Sequence, residues 1–166
     1  ILIKLEHRGA VSADGRTGDG AGILFDIPHD FFKKVCDFEL PEVRQYAVGM
    51  VFMPKSINHV GFCKTTFETA IKNQNLEILG WRDVPVAPSN LGQIAAEKEP
   101  TVKQVFVGKN GLALTEQQFN AKMFAARKIA EHAVRNSRTS ESHMFYFSSF
   151  STTTIIYKGL LMPEDI

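Results

Sequence analysis

The sequence predicts a layered domain of the α+β or α/β class. Apolar runs with strand character alternate along the chain with segments whose apolar residues recur at helical spacing. The chain has 166 residues, which suits one domain. Apolar residues make up 44% of it, with 13 Phe, which is enough for a sizeable core.

The first half begins with a predicted helix end at residues 1–6, closed by His7, Arg8 and Gly9. A short strand at 22–27 stops at Pro28, which then opens a helix at 30–36. The run QYAVGMVFM at 45–53 predicts a strand buried on both faces. Residues 56–74 form a helix, and its predicted buried face comprises Val60, Cys63, Phe67, Ala70 and Ile71.

The second half begins with a predicted strand at 76–84, a short helix at 92–98 and a strand at 101–107. The strongest helix is expected at 115–136, where Thr115 and Gln118 form a capping box. The predicted buried face of this helix comprises Phe119, Met123, Ala126, Ile129, Ala130, Ala133 and Val134. Two strands, at 143–150 and 153–157, are predicted to follow it. Each helix lies between two strands, which fits a βαβ unit, while antiparallel pairing through a long connection stays open.

Composition excludes several function classes. The formal net charge is +1, which gives no electrostatic reason to expect nucleic acid or an anionic membrane as a partner. The apolar runs are far too short to cross a bilayer. Two cysteines are too few for a disulfide framework, so a reducing, cytoplasmic location is expected.

The main candidate for a functional segment is the stretch LEHRGAVSADGRTGDGAGILF at residues 5–25, which is the part of the sequence richest in glycine. It precedes a strand, whereas a phosphate-binding fingerprint follows a strand and opens a helix, so phosphate binding is not favoured. Asp14 and Asp19 are candidate cation ligands. The simpler interpretation is that they cap turns by accepting backbone N–H groups. No metal site is predicted, because the five His are scattered along the chain.

Other candidate nucleophiles have simpler explanations. Cys36 and Cys63 are predicted to be core thiols. The hydroxyl-rich run SFSTTT at 149–154 predicts a turn between strands, since no base or nucleophile elbow accompanies it. Arg8 differs, because a charge-assisted network with Asp14 or Asp19 is physically reasonable. From spacing alone, a structural role for that network is favoured over a functional one.

Two motif-rich ends of the chain carry a family resemblance. Both closely resemble the glutaminase domain of the glutamate synthase large subunit, a class II amidotransferase. The matching residues are His7-Arg8-Gly9-Ala10, Ala13-Asp14-Gly15, Thr17 to Leu24, Pro28-His29, Phe31-Phe32, Ser149, Ile156-Tyr157-Lys158-Gly159, Leu161 and Pro163.

The resemblance implies an N-terminal-nucleophile hydrolase, an α+β fold with antiparallel sheets in a four-layer αββα sandwich. It implies hydrolysis of the glutamine side-chain amide by an N-terminal Cys whose own amine is the base. Arg8, with Gly9, would help to order that site, and Asp14 and Asp19 would support it. Ammonia would pass to the remaining domains of glutamate synthase, where FMN and an iron–sulfur cluster serve the reductive synthesis of glutamate from 2-oxoglutarate.

The family pattern also implies what residues 1–166 would lack. The nucleophilic Cys lies before the His-Arg-Gly helix in the family, and the glutamine-binding and oxyanion segments follow the Tyr-Lys-Gly segment. We therefore expect residues 1–166 to be one partial glutaminase domain, without a cofactor, a metal or a complete catalytic set, and inactive by itself.

Two other interpretations compete with this one. One is a natural non-catalytic relative that keeps the scaffold as a binding or interaction module. The other is a different class II amidotransferase such as an asparagine synthetase, which the pattern after His-Arg-Gly does not support. A partial sandwich would expose sheet edges, so we also expect self-association through edge pairing.

Overall fold

The structure, a computed structural model, describes residue 10 and residues 12–15, 17–18 and 20–159. The predicted helix end at 1–6, with Arg8 and Gly9, and also Asp19, lie outside the described residues. The described part contains two compact units. One unit comprises the described residues of 1–25, Pro85–Glu99 and those of 156–166, and the other comprises Asp26–Val84 and Pro100–Ile155.

The elements follow the predicted order, with bounds that differ by a few residues. The strands are β1 (Ala21–Asp26), β2 (Tyr46–Met53), β3 (Glu77–Asp83), β4 (Thr101–Gly108), β5 (Tyr146–Ser151) and β6 (Thr154–Gly159). The helices are α1 (His29–Val35), α2 (Ile57–Asn73), α3 (Gln93–Glu97) and α4 (Glu116–Arg135). The largest boundary difference is at residues 142–144, which form a 3-10 turn before β5 rather than its first residues.

The larger unit is built on a four-stranded sheet in the order β3-β4-β2-β5, with every neighbouring pair antiparallel. All eight residues of β2 are buried, which confirms the prediction that both of its faces are covered. The strands that flank α2 do run in the same direction, but β4 lies between them. Likewise, β2 lies between β4 and β5, the strands that flank α4. Neither helix therefore closes a simple βαβ unit, and the α+β class with antiparallel sheets is confirmed.

Helices α2 and α4 pack together against one side of this sheet. Their buried residues join residues of β2, β4 and β5 in one apolar cluster centred on Phe67, whose ring lies 4.8 Å from the ring of Phe147. The predicted buried face of α2 is confirmed in full. In α4 the prediction was wrong for Ile129 and Ala133, which are exposed.

Helix α4 also buries a carboxylate beside its apolar stripe. Glu131 is 9% exposed and occupies a position next to the apolar stripe. Its carboxylate accepts hydrogen bonds from Arg127 Nε at 2.8 Å and Lys128 Nζ at 3.3 Å. Arg127 also donates to the carbonyl of Phe147 at 3.1 Å, which ties the helix to β5. The pattern of apolar residues alone carries no sign of this pairing.

The helix capping box was predicted correctly. Thr115 Oγ1 accepts from the Gln118 backbone N–H at 3.2 Å, and the Gln118 side chain accepts from the Thr115 N–H at 3.0 Å. Such reciprocal bonds satisfy two of the N–H groups that the first turn of a helix leaves without partners.

The smaller unit contains most of the β1–β6 pair. Gly20 lies next to Gly159 and Gly22 lies next to Tyr157, so residue numbers rise along β1 where they fall along β6. The pair is therefore antiparallel. The rings of Phe25 and Tyr157 stack across it, with centroids 5.6 Å apart.

Candidate functional site

The described part of the glycine-rich stretch includes a tight loop formed by residues 12–15 and 17. The Ser12 N–H donates to the Thr17 carbonyl at 2.9 Å, and the Gly15 N–H donates to the Ser12 carbonyl at 2.9 Å. Gly15 has a φ of +65°, a conformation that glycine adopts without the strain a side chain would bring. Asp14 closes the loop by accepting from Thr17 N at 2.9 Å and from Thr17 Oγ1 at 2.7 Å. The interpretation of Asp14 as a turn-capping residue is thus confirmed.

Asp14 and Thr17 also bind a segment some eighty positions further along the chain. Asp14 Oδ2 accepts from the Ile94 N–H at 3.2 Å, and Thr17 Oγ1 accepts from the Ala95 N–H at 3.3 Å. Both amides belong to the first turn of α3, whose N-cap residue Gly92 has no side chain to satisfy them. The two side chains therefore act as a cap supplied from a distance, and they fasten the loop to residues 92–97.

This network is one that sequence analysis missed. Thr17 is 2% exposed, yet in the sequence nothing distinguishes it from the rest of the motif. The sequence signal that could have revealed this network is Gly92 at the start of the predicted short helix. A helix capped by glycine has no side-chain acceptor for its first N–H groups, so the acceptor must come from elsewhere in the chain. The predicted contact between Arg8 and Asp14 or Asp19 stays a prediction, since Arg8, Gly9 and Asp19 lie outside the described residues.

The end of the glycine-rich stretch lies against the Tyr-Lys-Gly segment. A Cβ added to Gly22 would come within 2.8 Å of the Tyr157 carbonyl and 2.9 Å of the Lys158 Cβ. Gly20 has a φ of +121° and faces the Gly159 carbonyl. Gly22 is thus needed for the close approach of two backbones, and Gly20 is needed for a backbone conformation that other residues rarely adopt. The two ends of the chain that carry the resemblance are neighbouring strands.

Neither cysteine is suited to act as a nucleophile. Cys63 is fully enclosed in the apolar cluster, and burial raises the pKa of its thiol to about 11. Cys36 is half-buried, and its pKa is also raised, mainly by burial, although the charge of Arg82 acts in the opposite direction. A thiol with a raised pKa carries little of the reactive thiolate at neutral pH. The prediction of a core thiol is confirmed for Cys63, whereas Cys36 lies partly open.

The hydroxyl-rich run forms the turn that its composition predicts. Ser151 Oγ accepts from the backbone N–H groups of Thr153 at 3.1 Å and Thr154 at 3.3 Å. The Ser151 and Thr153 hydroxyls lie 3.1 Å apart. These bonds hold the β5–β6 connection, so the hydroxyl groups of Ser151 and Thr153 are engaged in the turn.

The described residues contain neither a cluster of metal-ligating side chains nor a membrane-spanning helix. Within them, no three His, Cys, Asp or Glu side chains are arranged to hold a metal ion. No helix in the same part of the chain is long and apolar enough to span a membrane.

Comparison with known proteins identifies the family. The family described as "Glutamine amidotransferases class-II" matches residues 1–166. The chain is 40% identical over 167 positions to the "Glutamate synthase [NADPH] large chain" of Bacillus subtilis, and 38% identical over 178 positions to "Glutamate synthase [NADH]" of Saccharomyces cerevisiae. Both alignments cover 100% of this chain.

A third relative is "Ferredoxin-dependent glutamate synthase 1, chloroplastic/mitochondrial" of Arabidopsis thaliana, 35% identical over 165 positions and 98% of this chain. The chain spans about a tenth of these relatives, with 11%, 8% and 10% of their lengths covered. The match over its whole length, with the two motif-bearing segments paired as β1 and β6, shows that the chain belongs to the class-II glutamine amidotransferases.

Proposed function

We propose that residues 1–166 form part of the glutaminase domain of a glutamate synthase. In this function the side-chain amide of glutamine is hydrolysed to glutamate and ammonia. The ammonia then serves the reductive conversion of 2-oxoglutarate to glutamate in the rest of the enzyme. The observation that carries the proposal is the 40% identity to a glutamate synthase large chain along all of this chain.

The chemistry needs a nucleophile that Cys36 and Cys63 do not provide. A thiolate attacks the amide carbon, the C–N bond breaks, and ammonia leaves with a proton from the general base. Water then cleaves the thioester to give glutamate. The family resemblance implies an N-terminal Cys as the nucleophile. Neither thiol of this chain suits that role, since one is sealed in the core and the other has a raised pKa.

The loop formed by residues 12–15 and 17 has a supporting role in this proposal. Arg8 and Gly9 would stand beside the nucleophile, with Asp14 and Asp19 behind them. Of these residues, the geometry of Asp14 is known. Its carboxylate accepts hydrogen bonds from Thr17 and from Ile94, which hold the loop against α3. A fixed loop is what a precisely placed arginine next to it requires.

The redox cofactors of the complete enzyme would be held elsewhere. An iron–sulfur cluster generally needs three or four Cys thiolates. This chain has two Cys, and Cys63 is enclosed among apolar side chains. The residues present therefore do not fit a cluster, and we place it with FMN in other domains of the parent protein. A cytoplasmic location is also part of the proposal.

The test compares two proteins made from the same gene. One is residues 1–166, and the other is the longest open reading frame that contains them. We expect the long protein to release glutamate and ammonia from glutamine in equal amounts, and residues 1–166 to release neither. Glutamate release by residues 1–166 would overturn the proposed division of the site. A long protein without glutaminase activity would instead favour a non-catalytic module.

Self-association is a further part of the proposal. Strand β1 has β6 as its one neighbour among the described strands, and Ile23 and Leu24 on it are 47% and 61% exposed. An apolar strand with a free edge is a template for pairing with a second copy. Sedimentation of residues 1–166 should show dimers or larger species, and charged substitutions such as Leu24→Lys should shift them toward monomer. A monomer at every concentration would contradict this expectation.

A further inference from the structure

A polar cleft of about 250 Å³ lies in the larger unit, at the start of β2 and the end of β5. Its volume equals that of roughly eight molecules of liquid water, which suits a small metabolite rather than a macromolecule. The cleft is lined by Asp26, Ile27, His29, Val43, Arg44, Tyr46, Thr152 and Thr153. Neither the family match nor the proposed glutaminase reaction assigns a role to these residues.

Two opposite charges line the cleft without neutralising each other. Asp26 and Arg44 form no ion pair with one another or with any other residue that the structure describes. Arg44 has a φ of +66° in a turn closed by the Gln45 N–H and the Glu42 carbonyl at 2.9 Å. Glycine or asparagine would adopt this conformation with less strain. The turn nevertheless places an arginine at the cleft.

The inner wall of the cleft offers neutral hydrogen-bonding groups. Tyr46 is 1% exposed, and its hydroxyl lies 3.0 Å from His29 Nδ1. Thr152 is 5% exposed, and its side chain forms no hydrogen bond with any described residue. No polar side-chain atom of the described chain is both sealed from solvent and unpaired, so solvent reaches the Thr152 hydroxyl, and Thr152 is one of the residues that line the cleft. A nearly buried hydroxyl without a protein partner is satisfied by whatever occupies the cleft.

The charges decide which class of ligand fits. A simple anion such as phosphate would meet the Asp26 carboxylate, and a metal cation would meet the Arg44 guanidinium. A molecule with one charge of each sign satisfies both groups, and Ile27 and Val43 supply apolar contact for a short side chain. We propose that this cleft binds a free α-amino acid, with its carboxylate on Arg44, its ammonium group on Asp26 and the Thr152 hydroxyl as a further partner.

The first experiment uses the unaltered protein and three ligands with related skeletons. L-Norvaline carries both charges, pentanoate lacks the ammonium group, and butylamine lacks the carboxylate. None of them contains an amide, so binding is independent of glutaminase activity. Titration followed by amide NMR shifts should show saturable binding of norvaline at residues around the cleft. Both analogues should bind at least about tenfold more weakly, as expected for loss of one charge-assisted contact.

The second experiment alters the cleft. Asp26→Asn and Arg44→Asn each remove one charge, and asparagine tolerates the left-handed backbone at position 44. Each should weaken norvaline binding about tenfold. Asp26→Asn should also reduce the preference for norvaline over pentanoate, because the group that reads the ammonium charge is gone. Asp30→Asn is the matched control, since Asp30 is an exposed carboxylate of α1 that does not line the cleft.

Three results would overturn the proposal. The first is the absence of saturable norvaline binding to the unaltered protein. The second is binding of pentanoate, butylamine or inorganic phosphate as tight as that of norvaline. The third is unchanged norvaline affinity in both folded variants. The first two results need no substitution, so the proposal can be refuted even where a variant fails to fold.

Discussion

The cap that Asp14 supplies to α3 leads to a prediction about local stability. Asp14→Ala removes the acceptor of the hydrogen bonds from Thr17 N, Thr17 Oγ1 and Ile94 N, at distances of 2.7–3.2 Å. A hydrogen bond to a charged group contributes about 1.5–3 kcal/mol when it is buried. Asp14 is half-exposed, so water replaces part of what is lost. We therefore expect a local loss of about 2–3 kcal/mol rather than the full sum.

Amide hydrogen exchange measures this loss at the right place. A change of about 2–3 kcal/mol raises the opening equilibrium about 30- to 150-fold, since about 1.4 kcal/mol corresponds to tenfold. The exchange of the Ile94 and Ala95 amides should accelerate by that factor. Amides of β2 in the four-stranded sheet should be unaffected, because the substitution opens one segment rather than the whole fold.

Ser12→Ala is the matched control for this prediction. Ser12 belongs to the same loop, and its side chain forms no hydrogen bond with any described residue. Its removal should leave the exchange of Ile94 and Ala95 within about twofold of the unaltered protein. If Asp14→Ala behaved like Ser12→Ala, the carboxylate would not be the group that fastens the loop to α3. The reasoning about remote capping would then fail.

Three further predictions concern packing, pH and thiol chemistry. Gly80→Ala places a Cβ 2.2 Å from the ring of Phe38 and should cost about 1–3 kcal/mol in the free energy of unfolding, whereas Gly61→Ala, in open space on α2, should stabilise by about 0.5–1 kcal/mol. Burial raises the pKa of Glu131, but hydrogen bonds and charges from Arg127 and Lys128 outweigh it and lower the pKa. This contribution to stability is present above the ordinary Glu pKa and is lost as the pH falls through the lowered value, so Glu131→Gln should flatten the acid limb of the stability curve. Native Cys63 should resist iodoacetamide at neutral pH and react once the protein is unfolded, because its pKa is about 11 and it is enclosed.

Each of these has a clear contrary result. Equal melting temperatures for the two glycine variants would show that Phe38 moves aside at no cost. An acid limb that Glu131→Gln leaves unchanged would mean that the ion pairs do not depress its pKa. Rapid alkylation of Cys63 in the folded protein would mean that the core around α2 opens readily, and mass mapping of the modified peptide would show it.

Local features of the sequence were sufficient for the individual elements. The apolar spacing in α2 predicts the residues that are buried, and the Thr115–Gln118 pair predicts the start of α4. These signals are local because helix periodicity and capping involve residues a few positions apart. The motifs at both ends of the chain were likewise sufficient for the family, which the match to residues 1–166 confirms.

The order of the strands could be decided only by the tertiary structure. The sequence places β2 and β3 on either side of α2, yet β4 inserts between them and pairs with both. A strand's alternation of side chains says which face is buried but does not name its neighbour. The same limit applies to Ile129, which fits a broad helical stripe but is 48% exposed, whereas Glu131 is buried with Arg127 and Lys128 as its partners.

In the candidate sites, too, single residues could be predicted from the sequence, but the contacts between distant residues could not. Sequence motifs singled out Asp14, but its bond to Ile94 joins residues eighty positions apart, and no local pattern encodes that contact. The polar cleft is assembled from the end of β1, the turn before β2 and the turn after β5, so its charges meet only once the chain has folded. Short-range periodicity and motifs were thus enough to predict the elements and the family. Tertiary structure decided which strands are neighbours and which polar groups meet, because those pairings depend on contacts between residues far apart in the chain.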